Sequence, residues 1–371
     1  MLAEAVATVV TARVSEEVET TTGRGAISRI CRGALLCGAI VVGAACASGT
    51  ATPMPSGPGG SSPLATIAAP ATATPVTATP VGSCACLGPF PSGTVVAWGD
   101  DSSGQATVPA GLSGVVAVAA GDEFSLALKS DGTVVGWGAN DVGETTLPAG
   151  ATGISAVSAG SAFSLALKQD GTVIGWGDNT DGQATVPAGL KGVVQISAGG
   201  SHGLALKSDG TVVAWGSDAN GEIDVPAGLK NVLYVSAGYD FSLAEKSDGT
   251  VVAWGDKTVT DQPSGVTKVP AGLADVAKIS AGYYHNLALK LDGTVVAWGT
   301  NDSGQTAVPS GLARVTAVAA GGNFSLALKS DGTVVSWGGN ESGQTTLPSG
   351  LAGVLAIDAG GSHALAVVGQ P

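Results

Sequence analysis

The chain has 371 residues, of which 58 are glycine, and it carries a formal net charge of −13 with only 12% charged residues. Proteins that bind nucleic acid need a basic face to neutralise phosphates, so this balance excludes nucleic acid as an expected partner. The apolar fraction of 44%, combined with a regular repeat, favours an ordered repeat fold in which the glycines form turns over a disordered low-complexity chain.

The first stretch in chain order, 1–46, is predicted to be an export signal. Three arginines between positions 24 and 32 precede an apolar run at 33–45. That run is shorter than the roughly 20 residues that span a bilayer, and a positive segment before a short apolar one is typical of export signals. Small residues before Cys46 resemble the lipid-attachment motif of bacterial lipoproteins, so Cys46 is the predicted lipidation site; cleavage without lipid is the alternative.

The next stretch, 47–92, is predicted to be a disordered linker. It contains no charged side chain and is rich in Ala, Thr, Pro, Ser and Gly, a composition that cannot bury a core. Cys84 and Cys86 lie in it without the further ligands that a metal or redox site needs. We therefore expect an exported protein, either a cell-envelope lipoprotein or extracellular, that meets a membrane only through the lipid.

From Gly93 onward the chain repeats one unit seven times. Each unit has one tryptophan followed by glycine, and neighbouring tryptophans are 39 residues apart, except for 44 between the fifth and sixth; they are Trp98, Trp137, Trp176, Trp215, Trp254, Trp298 and Trp337. A fixed period of this length is the signature of a repeat architecture.

Each unit predicts short antiparallel strands. In the second unit, Thr133–Trp137 is rich in β-branched and aromatic residues and predicts a strand. After a turn, Thr145–Pro148 predicts a short extended edge piece. Ile154–Ala159 and Phe163–Lys168 then predict two further strands, and an Asp-Gly hairpin leads into the next unit.

These strands are apolar on both faces, so each sheet must be covered on both sides. Seven sheets of three to four strands around one axis meet that need, and we predict an all-β fold, a seven-bladed β-propeller at 93–368. Thr94–Trp98 has no Ser-Leu-Ala-Leu strand before it, and Ser362–Val367 has no Trp-Gly strand after it. We expect these N- and C-terminal strands to pair and close the ring.

The unit resembles the regulator of chromosome condensation repeat in two elements. One is Trp-Gly-x-Asn-x-x-Gly-Gln at 298–305, and the other is Ala-Gly-x-x-Phe-Ser-Leu-Ala-Leu at 120–128. The resemblance implies a seven-bladed propeller. Members that act as guanine nucleotide exchange factors continue Gly-Gln-Leu-Gly, whereas this chain has Ala106-Thr107 after Gly-Gln. That compact variant is similar to a secreted bacterial propeller that inhibits β-lactamases.

The resemblance to the inhibitor implies a binding face, because the inhibitor carries aromatic residues in the loop between its Ala-Gly and Leu-Ala-Leu strands. At the matching positions this chain has only three aromatic residues, and the fifth unit beside them is five residues longer, with two lysines in the range 256–268. Interfaces depend on a few such anchors. The predicted partner-binding residues are Tyr239, Tyr283, Tyr284, Lys257 and Lys268.

No nucleophile–base pair, phosphate loop or convergent metal set exceeds what the repeat itself produces, so we predict a protein that is not an enzyme and has no cofactor or metal. We expect a monomeric interaction scaffold for an unknown protein partner. A secreted inhibitor of the β-lactamase-inhibitor type and an exchange-factor-like propeller are the alternatives.

Three further features depart from a plain repeat. His202, His285 and His363 share a slot that is Phe in the other units, which predicts packing. The Asn and Asp residues after each Trp-Gly predict side-chain-capped turns. Glu245 stands where other units have Leu: if buried, its carboxyl would be unpaired with a raised pKa, and if at a strand end, it would lie beside Lys246.

Overall fold

The computed structural model describes residues 91–256 and 265–369. Within them the chain forms strands and turns and no helix, so no described helix could cross a membrane. The predicted signal, the predicted linker up to residue 90, Cys46 and Lys257 lie outside the described residues.

The strands fall into three kinds that recur in every unit. The first strands are β2 (Val115–Ala120), β5 (Ile154–Ala159), β8 (Val193–Ala198), β11 (Val232–Ala237), β14 (Val276–Ala281), β17 (Val315–Ala320) and β20 (Val354–Ala359). The second strands are β3 (Phe124–Lys129), β6 (Phe163–Lys168), β9 (His202–Lys207), β12 (Phe241–Lys246), β15 (His285–Lys290), β18 (Phe324–Lys329) and β21 (His363–Gly369). The tryptophan strands are β1 (Gly93–Gly99), β4 (Val134–Gly138), β7 (Val173–Gly177), β10 (Val212–Gly216), β13 (Val251–Gly255), β16 (Val295–Gly299) and β19 (Val334–Gly338).

Each unit folds as an antiparallel sheet in which the second strand lies between the other two. Five sheets have three strands, and the sixth has six, in the order β20-β21-β1-β2-β3-β4. Three strands a unit is the lower of the numbers that the sequence predicts. The prediction of an extended edge piece at Thr145–Pro148 is wrong, because this segment forms turns, with the Thr146 N–H bonded to the Gly143 carbonyl at 3.0 Å.

The six-stranded sheet joins the two ends of the described chain. β1 pairs with β21 along its whole length, from Gly93 opposite Gly369 to Gly99 opposite His363. It meets β2 only where Gly93 lies opposite Val115. The pairing that the sequence predicts for the N- and C-terminal strands is present, and β1 takes the place of the tryptophan strand beside β20 and β21.

The core lies between neighbouring sheets. Phe124, Leu126 and Leu128 of β3 pack against Ile154 and Val157 of the next sheet, and the same arrangement recurs along the chain. Each first strand contacts the first strand of the next sheet, from β2–β5 to β17–β20, and β20 contacts β2. The burial of both sheet faces, which the sequence predicts, is therefore achieved by stacking sheet on sheet.

The seven tryptophans have one common role in this stacking. Each indole N–H donates a hydrogen bond of 2.8–2.9 Å to a main-chain carbonyl in the turn of the preceding unit; the acceptors, for Trp98 to Trp337 in order, are Gln344, Gln105, Glu144, Gln183, Glu222, Val266 and Gln305. The acceptor is preserved as Val266 after the longer turn of the fifth unit. Trp98 makes the same bond across 246 positions, to Gln344.

Candidate partner-binding face

The turns between first and second strands carry the three predicted tyrosines. Tyr239 lies between β11 and β12, and Tyr283 and Tyr284 lie between β14 and β15. Because β11 and β14 are neighbours, these turns converge. Ring centroids are 4.9 Å apart for Tyr239–Tyr283, 6.0 Å for Tyr239–Tyr284 and 6.4 Å for Tyr283–Tyr284. The structure thus brings together three residues separated by up to 45 positions, and we call them the tyrosine cluster.

The rings within the tyrosine cluster are tilted or edge-on to one another, with interplanar angles of 48–80°. This is the arrangement that the quadrupoles of aromatic rings favour. Tyr284 remains 39% exposed, although a large aromatic side chain in a stable core is normally covered. The cluster therefore presents aromatic surface that is already fixed in orientation, which reduces the entropy lost on binding a partner.

Tyr283 also reaches across the end of a cavity that lies between the first strands. Its hydroxyl lies close to Asp122, which follows β2, and the Tyr283 and Ser161 hydroxyls both act to lower the pKa of the Asp122 carboxyl. Two glycines make room for it: a Cβ on Gly361 would lie 2.7 Å from the Tyr283 hydroxyl, and one on Gly322 would lie 3.3 Å from its ring. Tyr283 is thus held in place by its environment.

Carboxylates surround the tyrosine cluster. Burial raises the pKa of Asp240, and the charges of Glu222 and Asp256 raise it further. Burial also raises the pKa of Asp122, against the opposing effect of its two hydroxyl donors. Burial followed by the nearby carboxylates of Asp122 and Asp240 raises the pKa of Tyr239. The tyrosine cluster therefore lies in a negative electrostatic environment.

The cationic side chains of the repeat lie at the other end of the strands. Second strands begin at the tyrosine-bearing turns and end in a lysine that pairs with the aspartate of the following hairpin, as in Lys246–Asp248 at 2.8 Å and Lys207–Asp209 at 3.1 Å. The acidic character of the tyrosine end is thus not offset by these lysines.

Of the two predicted lysines, Lys268 is exposed, and its ammonium makes no hydrogen bond or ion pair with another described residue. The structure does not bring Lys268 into the tyrosine cluster. Asp122 was missed by the sequence prediction, although its position in the turn after β2 matches that of Tyr283 in the turn after β14. An aspartate at this turn position, where the other units have Ser, Gly or Tyr, was the sequence signal that could have indicated Asp122.

The three histidines occupy interior positions, as predicted. His202, His285 and His363 are fully buried, and the Nε2 of each lies 2.9 Å from a serine hydroxyl on the second strand of the next unit, which for His363 is Ser125 of the first complete unit. Burial lowers the pKa of each imidazole to about 4. Their role is to join sheets. Across ranges 91–256 and 265–369, no three His, Cys, Asp or Glu side chains come close enough to hold a metal ion.

Repeated three-stranded antiparallel sheets, packed face to face through equivalent first strands, define an all-β repeat protein of the β-propeller type. The chain contains five repeats of the regulator of chromosome condensation (RCC1) repeat family, whose model matches residues 115–144, 154–183, 193–222, 276–305 and 315–344. The unit that carries Tyr239, Glu245 and the longer turn falls between the third and fourth of these matches.

Solved structures of other proteins share the fold. The yeast RCC1 protein Prp20 bound to Kap60 is 20% identical with a TM-score of 0.64, over 76% of this chain and 90% of that one. A second structure, of Prp20p from Saccharomyces cerevisiae, is 19% identical with a TM-score of 0.65, over 77% and 93%. The ectodomain of the Physcomitrella patens receptor kinase CR4 is 26% identical with a TM-score of 0.56, over 66% and 68%. No curated protein matches the chain.

Proposed function

We propose that this protein is a non-catalytic, exported interaction module that binds a protein partner through the tyrosine cluster. The observation that carries the proposal is the meeting of three aromatic side chains from two adjacent sheets on an acidic face, with Tyr284 39% exposed. Buried aromatic anchors dominate the energetics of most interfaces. Export, by lipid attachment at Cys46 or by secretion, is proposed from the sequence at 1–46 alone.

The module is proposed to be a closed ring of seven blades that acts as a monomer. Three contacts support closure: the pairing of β1 with β21, the Trp98–Gln344 bond of 2.9 Å, and the contact of β20 with β2. Counting β1 with β20 and β21 gives seven groups of three strands in the described residues. A ring of this kind fixes the turns rigidly, which suits a preorganised binding face.

Related propellers support a protein as the partner. The solved relatives include a yeast RCC1 protein bound to Kap60 and a Prp20p studied for its binding to Gsp1p and histones. Inhibition of β-lactamases is a second candidate function. It is favoured because the three tyrosines occupy the loop positions that carry aromatic residues in the propeller-type β-lactamase inhibitor.

Partner capture with matched variants tests the proposal. The purified protein is immobilised and exposed to cell-envelope extracts, culture fluid and a panel of β-lactamases. Tyr239→Ala combined with Tyr284→Ala removes aromatic surface while leaving Tyr283 in place beside Asp122. Each truncated anchor is expected to cost about 1–2 kcal/mol, so together they weaken binding roughly 30-fold or more.

Leu291→Ala is the control, because Leu291 is 60% exposed and lies beyond the other end of a second strand. It should leave capture unchanged. Equal capture by wild type and by the tyrosine double variant, at unchanged melting temperature, would show that the partner binds elsewhere.

A further inference from the structure

A cavity of about 170 Å³ lies between the seven first strands. Its walls are mostly small or apolar side chains, but polar side chains enter it from four strands: Gln195 of β8, Tyr234 of β11, Lys278 of β14 and Asp358 of β20. The first three occupy one repeat slot, which holds alanine in the other four units. These side chains are therefore departures from the repeat that are concentrated in one place.

Two of these polar groups have no partner among the residues that the structure describes. The Lys278 ammonium and the Tyr234 hydroxyl form no hydrogen bond or ion pair with any described residue. Gln195, by contrast, is satisfied, because it exchanges two hydrogen bonds of 3.0 Å with the main chain of Val235. Burial lowers the pKa of Lys278, with no neighbouring carboxylate to oppose it, and burial raises the pKa of Tyr234 to about 12.

Serine hydroxyls add further donors to the cavity wall. Their oxygens accept hydrogen bonds of 2.9–3.0 Å from the last N–H of the next first strand, and none of the hydroxyls donates to a described residue; they are Ser158, Ser197, Ser236 and Ser280. A serine hydroxyl can donate one bond while accepting others. The wall therefore holds an excess of unused donors.

Asp358 is the counterpart of these serines in the last unit. Its Oδ2 accepts a hydrogen bond of 2.9 Å from the Ala120 N–H. Asp358 forms no ion pair with Lys278, but its charge and that of Glu245 add to burial in raising the pKa of Tyr234. A single carboxylate on this wall opposes the entry of a multiply charged anion.

We propose that this cavity binds a small oxyanion with one negative charge, such as a short carboxylate or nitrate, through Lys278 and Tyr234. Lys278 is half-buried, and its ammonium has no counter-ion or hydrogen-bond partner among the described residues, so an anion bound in the cavity would supply one. The volume suffices, because a single water needs only about 10–15 Å³ of such space. Lys278 supplies the charge, and Tyr234 and the serines supply neutral donors.

Calorimetric titration of the whole protein with formate, and separately with nitrate, tests the proposal. Wild type should bind one equivalent. Lys278→Met, which keeps the length of the side chain, should weaken binding at least about tenfold, as expected for the loss of a charge-assisted hydrogen bond. Lys290→Met, on the adjacent second strand, is the matched control and should bind like wild type.

Asp358→Asn gives the opposite expectation and keeps the test decisive if Lys278→Met folds poorly. The asparagine oxygen can still accept from the Ala120 N–H, and loss of the negative charge should tighten anion binding several-fold. The proposal is overturned if wild type takes up neither anion, if Lys278→Met and Lys290→Met bind equally well, or if Asp358→Asn weakens binding.

Discussion

Replacing Glu245 by leucine should stabilise the protein in a manner that depends on pH. Glu245 fills a second-strand slot that holds leucine in five other sheets and Val367 in the last. The residue is only 5% exposed, so of the two interpretations left open by the sequence the structure supports burial. Burial, with a smaller effect from Asp248, raises the pKa of the Glu245 carboxyl to about 7.

The size of the effect follows from this pKa. The reference value is 4.5, so the shift is about 2.5 (7 minus 4.5), and at about 1.4 kcal/mol for each pKa unit the ionised carboxylate costs roughly 3 kcal/mol of unfolding free energy. The folded state holds the proton more tightly than the unfolded state. The stability that protonated Glu245 gives to the folded state is therefore complete below pH 4.5 and is lost as the pH rises through 7.

Denaturant unfolding at pH 5 and pH 8 measures the difference. Glu245→Leu should raise the unfolding free energy at pH 8 by about 2.5 kcal/mol more than it does at pH 5, because leucine has no charge to desolvate. Glu245→Gln should also remove the pH dependence. Leu206→Glu, at the same slot in the preceding sheet, should introduce a similar loss above pH 7.

The reasoning about Glu245 is refuted if Glu245→Leu gives the same gain at both pH values, since the carboxylate would then be solvated in the folded protein.

Two further predictions concern the joints between sheets. The imidazoles of His202, His285 and His363 have pKa values of about 4, below the reference value of 6.5, so stability should fall as the pH drops from 6.5 toward 4. Replacing all three by Phe should flatten that loss in thermal melts at pH 4.5 and 7; an unchanged acid dependence would place its origin elsewhere. A chain that begins at Asp100 lacks β1 and should melt at least about 10 °C lower. This is the shift expected when a protein of this size loses several kcal/mol of unfolding free energy. An equal melting temperature would argue against a stabilising role for the pairing of β1 with β21.

The repeat made most of the fold predictable. The Trp-Gly period and the Asp-Gly hairpins indicate which segments pair, because a hairpin of two residues leaves little freedom in strand pairing. Thr94–Trp98 and Ser362–Val367 each lack a partner strand within their own unit, and this predicts that they pair with each other. The prediction of an extended piece at Thr145–Pro148 was wrong because the Thr145 and Thr146 N–H groups bond within the turn, to Asn140 and Gly143, and the segment forms no ladder with the neighbouring strand β4.

The sequence could predict a candidate site only where its residues occupy equivalent positions of adjacent units, because those positions come into contact in the stacked sheets. Tyr239, Tyr283 and Tyr284 satisfy that condition, and the sequence identifies them. The approach of Tyr283 to Asp122 brings together sheets that are not neighbours, so no local pattern could indicate it. Lys278 and Tyr234 could have been found as departures from alanine in one slot, but only the structure shows that this slot faces a cavity.

The pairing of Gly93 with Gly369 places the two ends of the repeat region side by side at one sheet edge. A short peptide could therefore join them, and new ends could be opened at an exposed hairpin such as Asp209-Gly210 without moving any strand. Such a rearranged chain would be translated in a different order of units but would stack the same units in the same order around the sheets. For the same reason, the repeat region could be inserted into a surface loop of another protein with little strain on its host.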